Sequence, residues 1–278
     1  CQFVLPQSTQ LYETMVTDAR VAFFSFIGSA RGGWMLRSKL APGTRCALEH
    51  GGVAPLILAG DADLHRAVTS IAKGGFYHAG QVCVSVQRVF AHASIAREFA
   101  EKLADKAKTL IVGDPRLEQT EVGPLIRAAE VERIHDWVQE AIGEGSEVLS
   151  GARALDNHCY EPTVLWNPPQ SCKVSQQEVF GPVVCVYPYE ELATAIESAN
   201  ALPFAFQAAV FTKDIDTAMQ VFNRIDASAV MINEHTAFRV DGMPFAGLRQ
   251  SGLGIGGIGH TIDDMQVEKM MVMHSEWL

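Results

Sequence analysis

Two side chains capable of chemistry stand 34 positions apart, each beside glycine: Glu49 in Ala47-Leu48-Glu49-His50-Gly51-Gly52 and Cys83 in Ala79-Gly80-Gln81-Val82-Cys83-Val84. A thiolate is a nucleophile toward a carbonyl carbon, and a carboxylate one water away from an acyl group acts as a general base. Glycines beside them let the backbone turn sharply or approach a neighbour closely. Taken singly, neither residue is informative. A lone cysteine is ordinarily a small buried hydrophobe, and a lone glutamate a solvated surface charge.

The elements that must position them come from the apolar pattern. Short β-branched runs alternate with amphipathic helical stretches along nearly the whole chain, which predicts an α/β fold with a mostly parallel sheet flanked by helices. Strands are expected at 21–26, 55–59, 86–91, 163–166, 183–187, 208–212 and 229–232. A helix behind Asp61 carries Leu64, Ala67, Val68, Ile71 and Ala72 on one face, with the aspartate placed to cap it. Further helices begin near Ser94, with Ile95, Phe99, Leu103 and Leu110 along the buried stripe, and around Val131, Ile134, Val138 and Ala141. Two more fit 191–199 and 214–224. Residues 269–274 read as a strand without a local partner, suited to completing a sheet in another subunit.

Composition narrows the function class. The 278 residues are 48% hydrophobic and 19% charged, the balance of a packed protein. A net charge of −10 with no Lys/Arg cluster argues against a nucleic-acid partner. No apolar run approaches the roughly 18 residues of a membrane span. The six cysteines show no metal-ligand spacing and are read as reduced thiols, with no metal expected and a cytoplasmic location. Small-molecule chemistry is the remaining expectation.

Leu-Glu-x-Gly-Gly followed by Gly-Gln-x-Cys resembles the two signature segments of the aldehyde dehydrogenase superfamily. Other segments agree in order. Phe26-Ile27-Gly28-Ser29 resembles the family's Phe-Thr-Gly-Ser turn, and Glu178-Val179-Phe180-Gly181-Pro182 its Glu-x-Phe-Gly-Pro. Asn233, Pro244-Phe245-Ala246-Gly247 and Ser251-Gly252-Leu253-Gly254 resemble its C-terminal signature. The chain departs from the pattern at Ile27, at His50, at Ala246, and at Gly254-Ile255-Gly256-Gly257, where many members have Gly-Arg-Glu. His50 is open to two readings, a modulator of the adjacent carboxylate or a satisfied structural histidine.

The resemblance implies oxidation of an aldehyde to an acid with NAD or NADP. Cys83 is the expected nucleophile, forming a thiohemiacetal and then a thioester, with Glu49 the base for hydrolysis and the Cys83 N–H one oxyanion donor. Gly28 and Ser29, at a strand-to-helix turn, and Glu178 and Phe180 are the expected cofactor contacts. Val82, Val84 and Phe238 are the expected substrate lining, an apolar collar for a neutral aldehyde, whereas Arg239 and His235 are placed to bind an anionic tail. The literal Gly-x-Gly-x-x-Gly at 254–259 is read as a coincidence, because no strand is expected before it. The resemblance also implies a homo-oligomer, a dimer or tetramer. It divides the chain into a remnant of a Rossmann-like NAD(P)-binding domain at 1–50, a catalytic domain at 51–257 and an oligomerisation segment at 258–278. Two alternatives stand beside hydrolysis: acyl transfer to coenzyme A, which needs no water-activating Glu, and a non-catalytic fragment serving only oligomerisation or binding.

Overall fold

Runs such as Pro55-Leu56-Ile57-Leu58 have no wet face, and they fold as the doubly covered strands of a parallel sheet. In the computed structural model, which describes residues 1–277, the chain opens with α1 (Thr9–Val16), β1 (Phe23–Ile27), α2 (Ala30–Arg37) and β2 (Arg45–Glu49). Next come β3 (Pro55–Leu58), α3 (Leu64–Phe76), β4 (Arg88–His92), α4 (Ala93–Thr109), α5 (Ala128–Gly143), β5 (Glu147–Ser150), β6 (Thr163–Trp166), the short α6 (Lys173–Gln176) and β7 (Val183–Tyr189). The remainder is α7 (Leu192–Asn200), β8 (Phe204–Ala205), β9 (Gln207–Phe211), α8 (Ile215–Arg224), β10 (Ala229–Ile232), β11 (Leu248–Arg249), β12 (Gly252–Leu253) and α9 (Ile258–Met265).

The large sheet runs β10-β9-β3-β4-β7-β6-β5, parallel throughout except for β5 against β6. Its central strands are buried along almost their full length, with Leu56, Val89, Val184 and Val210 all at 0% exposure. Helices α3, α4 and α7 pack against it. A smaller sheet, β1-β2-β12, has its own core of Val16, Phe24, Leu36 and Leu48.

Several expectations need correction. The cap of α3 is Asp63, whose side chain accepts from the Arg66 N–H, while Asp61 instead accepts from the Thr212 hydroxyl and the Lys213 N–H. Leu110 lies past the end of α4. Residues 269–274, by contrast, pair with no strand of this chain among the described residues, in keeping with a segment that has no local partner, and Met270, Met271 and Val272 are about four-fifths exposed. The glycine motif at 254–259 does stand between a strand, β12, and a helix, α9. That strand is only two residues long and antiparallel, so no parallel strand-helix-strand unit exists there to hold a dinucleotide.

Candidate active site

Neighbouring parallel strands bring the loops at their ends together, and here three consecutive strands do so. The segment with Glu49 leads into β3, that with Cys83 into β4 and that with Glu178 into β7, and β3, β4 and β7 are adjacent in the sheet. The expected residues therefore converge at the entry ends of the strands, where the small sheet faces them. Glu49 is the last residue of β2, and β2 is a strand that the apolar pattern did not reveal.

Close backbone approach holds the three loops. The Gly52 N–H donates to the Cys83 carbonyl at 3.2 Å. A Cβ on Gly80, whose φ is +68°, would lie 2.1 Å from the Gly181 carbonyl oxygen, so only glycine lets the cysteine loop meet the Glu-x-Phe-Gly-Pro loop. His78 and Ala79 just before it also adopt left-handed φ values of 50° and 53°, a conformation costly for residues with a Cβ. Two side chains complete the brace. Buried Gln87 accepts from the Val179 N–H and donates to the Val174 and Gln177 carbonyls. The Thr236 hydroxyl donates to the Val84 carbonyl at 2.6 Å. Neither was expected, although an amide and a hydroxyl in apolar surroundings must find partners, and that requirement is a signal.

The loops enclose a cavity of about 770 Å³. Cys83, Glu49, Glu178, Phe180, Gly28, Ser29 and Val82 all line it. Val84 and Phe238 do not: Val84 is buried among Phe206 and Ala237, and Phe238 is 41% exposed. Phe245 and Phe180 supply apolar wall instead. Of the two expected anion binders, Arg239 lines the cavity, its guanidinium 4.2 Å from the Phe245 ring centre. His235 lies elsewhere, buried beside Glu234 and against Gly74. Arg133 also lines the cavity, paired with Glu130 and donating to the Val179 carbonyl.

The electrostatics are those of a resting site. Burial pushes the Cys83 thiol up to about 11, and the carboxyl groups of Glu178 and Glu49 push in the same direction, while Arg239 opposes them. Burial also raises Glu49, again against Arg239. Glu178 is pushed up to about 7 by burial, with Arg133 opposing. Its Oε1 is buried without a hydrogen-bond partner, in the space that a Cβ on Gly51 would fill. His50 is 1% exposed; its Nδ1 meets the Gln250 carbonyl at 2.9 Å, and burial lowers its pKa. Edge contacts to Phe26 and Trp34 hold the ring, whose Nε2 is buried without a hydrogen-bond partner. At the turn after β1, the Ser29 hydroxyl caps α2 by accepting from the Gly32 N–H.

The aldehyde dehydrogenase family profile matches residues 1–271. The chain belongs to the aldehyde dehydrogenase family. It is 38% identical over 273 residues to 3-sulfolactaldehyde dehydrogenase of Priestia aryabhattai, covering 98% of this chain and 57% of that protein. To lactaldehyde dehydrogenase of Methanocaldococcus jannaschii it is 36% identical over 261 residues, covering 94% and 56%. Among solved structures, glyceraldehyde-3-phosphate dehydrogenase of M. jannaschii complexed with NADP superposes with a TM-score of 0.88 at 36% identity, covering 92% of this chain and 55% of that one. Aldehyde dehydrogenase 21 of Physcomitrella patens, in complex with succinate, gives 0.90 at 33% identity, covering 94% and 54%. The chain thus spans a little over half the length of the relatives it matches.

Proposed function

We propose that this polypeptide carries the catalytic centre of an NAD(P)-dependent aldehyde dehydrogenase that releases a free acid. The observation that carries the reading is the convergence of Cys83, Glu49 and Glu178 on one cavity. Cys83 loses its proton and its sulfur adds to the aldehyde carbon, giving a thiohemiacetal whose oxyanion the Cys83 N–H is placed to stabilise. When bound, NAD or NADP supplies the acceptor for the hydride that leaves this carbon as the thioester forms. Glu49 then takes a proton from water as the water attacks the thioester, the acid departs and the thiol is regenerated. The cavity fits such a cofactor: the orphaned Glu178 Oε1 calls for a hydroxyl donor, Phe180 offers a ring face, and the cap of α2 presents Gly28 and Ser29. In this reading, residues 1–50, with β1 and β2, are the part of the cofactor-binding domain that this chain carries, and 51–257, which adds β12 to the same sheet, the catalytic domain. The carboxylate in the cavity favours hydrolysis over transfer to coenzyme A.

For the substrate, Arg239 favours an aldehyde with an anionic tail over a neutral one. Its charge reaches both Cys83 and Glu49, and it makes no ion pair among the described residues. The names of the relatives divide, with aspartate-semialdehyde and glyceraldehyde-3-phosphate dehydrogenases on the anionic side and lactaldehyde and betaine aldehyde dehydrogenases on the other, so the reading rests on Arg239. The reaction is tested by rapid kinetics on the intact enzyme. Cys83→Ala removes turnover, and Glu49→Gln keeps the first burst of reduced cofactor while slowing the steady state by about 10²–10⁴-fold. A burst that falls together with the steady state places Glu49 before deacylation and refutes its assigned role.

A further inference from the structure

Gly256 stands where the family resemblance has the last residue of Gly-Arg-Glu, and its surroundings give the glycine a task. A Cβ built there would lie 2.0 Å from Glu49 Oε1 and 2.5 Å from the Phe245 carbonyl oxygen. The carboxyl group of Glu49 therefore occupies the volume of the missing side chain. The turn cannot retreat from it, because Gly256 and Phe245 exchange two backbone hydrogen bonds of 2.8 and 2.9 Å. The same arrangement recurs twice around the cavity: a Cβ on Gly51 would meet Glu178 Oε1 at 1.8 Å, and one on Gly33 would meet His50 Nε2 at 1.9 Å.

We propose that Gly256 is a positioning residue for Glu49: by having no side chain it seats the carboxyl group beside the Phe245 carbonyl, and any side chain at 256 displaces Glu49 toward the cavity shared with Cys83. The catalytic meaning rests on Glu49 being the base; the seat itself does not. Facing Glu49 are Cys83, Arg239 and its chain neighbour His50, with Glu178 and the Glu130–Arg133 pair farther along the same cavity. In the seat, burial favours the protonated carboxyl and Arg239 opposes it. Once displaced, the group gains water and titrates lower.

The test uses four versions of the chain: wild type, Gly256→Ala, Glu49→Ala and the double variant. Gly259→Ala is the control, because a Cβ there meets nothing within 4 Å. The Glu49 carboxyl is titrated by carbon NMR of glutamate-labelled protein, its signal assigned from its absence in Glu49→Gln, and melting temperatures are recorded for each version. We expect Gly256→Ala to lower the Glu49 midpoint, with no shift in the control. We also expect it to lower the melting temperature less when residue 49 is alanine. An unmoved midpoint, or an equal melting loss in both backgrounds, overturns the proposal. The same Cβ also meets the Phe245 carbonyl oxygen at 2.5 Å, so part of the loss remains when residue 49 is alanine; should Gly256→Ala fail to fold, a double variant that recovers no more folded protein overturns the proposal. Neither readout needs turnover, so an error about the reaction would leave both interpretable.

Discussion

Glu178 makes a pH-dependent contribution to stability that can be isolated with one substitution. Its carboxyl is ordinarily at 4.5 and is pushed up to about 7 by burial in the folded chain. Below the unfolded value both states hold the proton and the group costs nothing. As pH rises from there, the unfolded chain releases its proton first, so stability is lost until the folded carboxyl also ionises near pH 7. At about 1.4 kcal/mol per unit the full loss approaches about 3 kcal/mol, a ceiling because the side chain retains some access to water. Glu178→Gln removes the ionisation and keeps the shape. Urea unfolding of both proteins from about pH 4 to about pH 8.5 should therefore show the variant gaining on the wild type by roughly 2–3 kcal/mol across that range. A stability difference that stays constant with pH would refute the reasoning, because burial outweighs the Gly52 N–H and Arg133, which favour the ionised form.

Arg88→Met tests the connection beneath the site. The Arg88 guanidinium, 2% exposed, donates to the Val53, Ser198 and Ala199 carbonyls, of which only that of Ser198 also accepts from a backbone N–H, that of Ala201, so its loss should cost about 3–5 kcal/mol in urea unfolding. A loss under about 1 kcal/mol would mean water replaces it. Arg239→Leu should lower kcat/KM for succinic semialdehyde by about 10–100-fold and change that for benzaldehyde far less, as expected for one charge-assisted hydrogen bond. An equal loss for both aldehydes would remove Arg239 from tail recognition.

Much of the fold was legible wherever local chemistry and tertiary burial agree. β6 and β10 begin and end where expected, and α8 fills the stretch expected from 214 to 224, with Asp214 as its cap. β2 escaped notice because Arg45-Cys46-Ala47-Leu48-Glu49 is strong in neither alternation nor β-branching; it is a strand because β1 and β12 pair with it on either side. For the site, motif glycines were informative: Gly51 and Gly80 are required by the approach of Glu178 and Gly181. The cavity walls were less so, because which of Val82, Val84 and Phe238 faces the thiol depends on how distant loops pack. Thiol reactivity was not legible at all. The burial that pushes Cys83 to about 11 makes indiscriminate alkylation a poor probe of it beside the exposed Cys1.

The central claim is that the acyl group passes through Cys83 and that Glu49 releases it. It is met most directly by mixing Glu49→Gln enzyme with an aldehyde substrate and NAD or NADP, quenching in acid within the burst, and mapping the peptides by mass. The account predicts the acyl increment on the peptide containing Cys83, in near-stoichiometric amount, and little of it in wild-type enzyme quenched at the same time. An acyl group on another of the six cysteines, or none on any while reduced cofactor is formed, would contradict it.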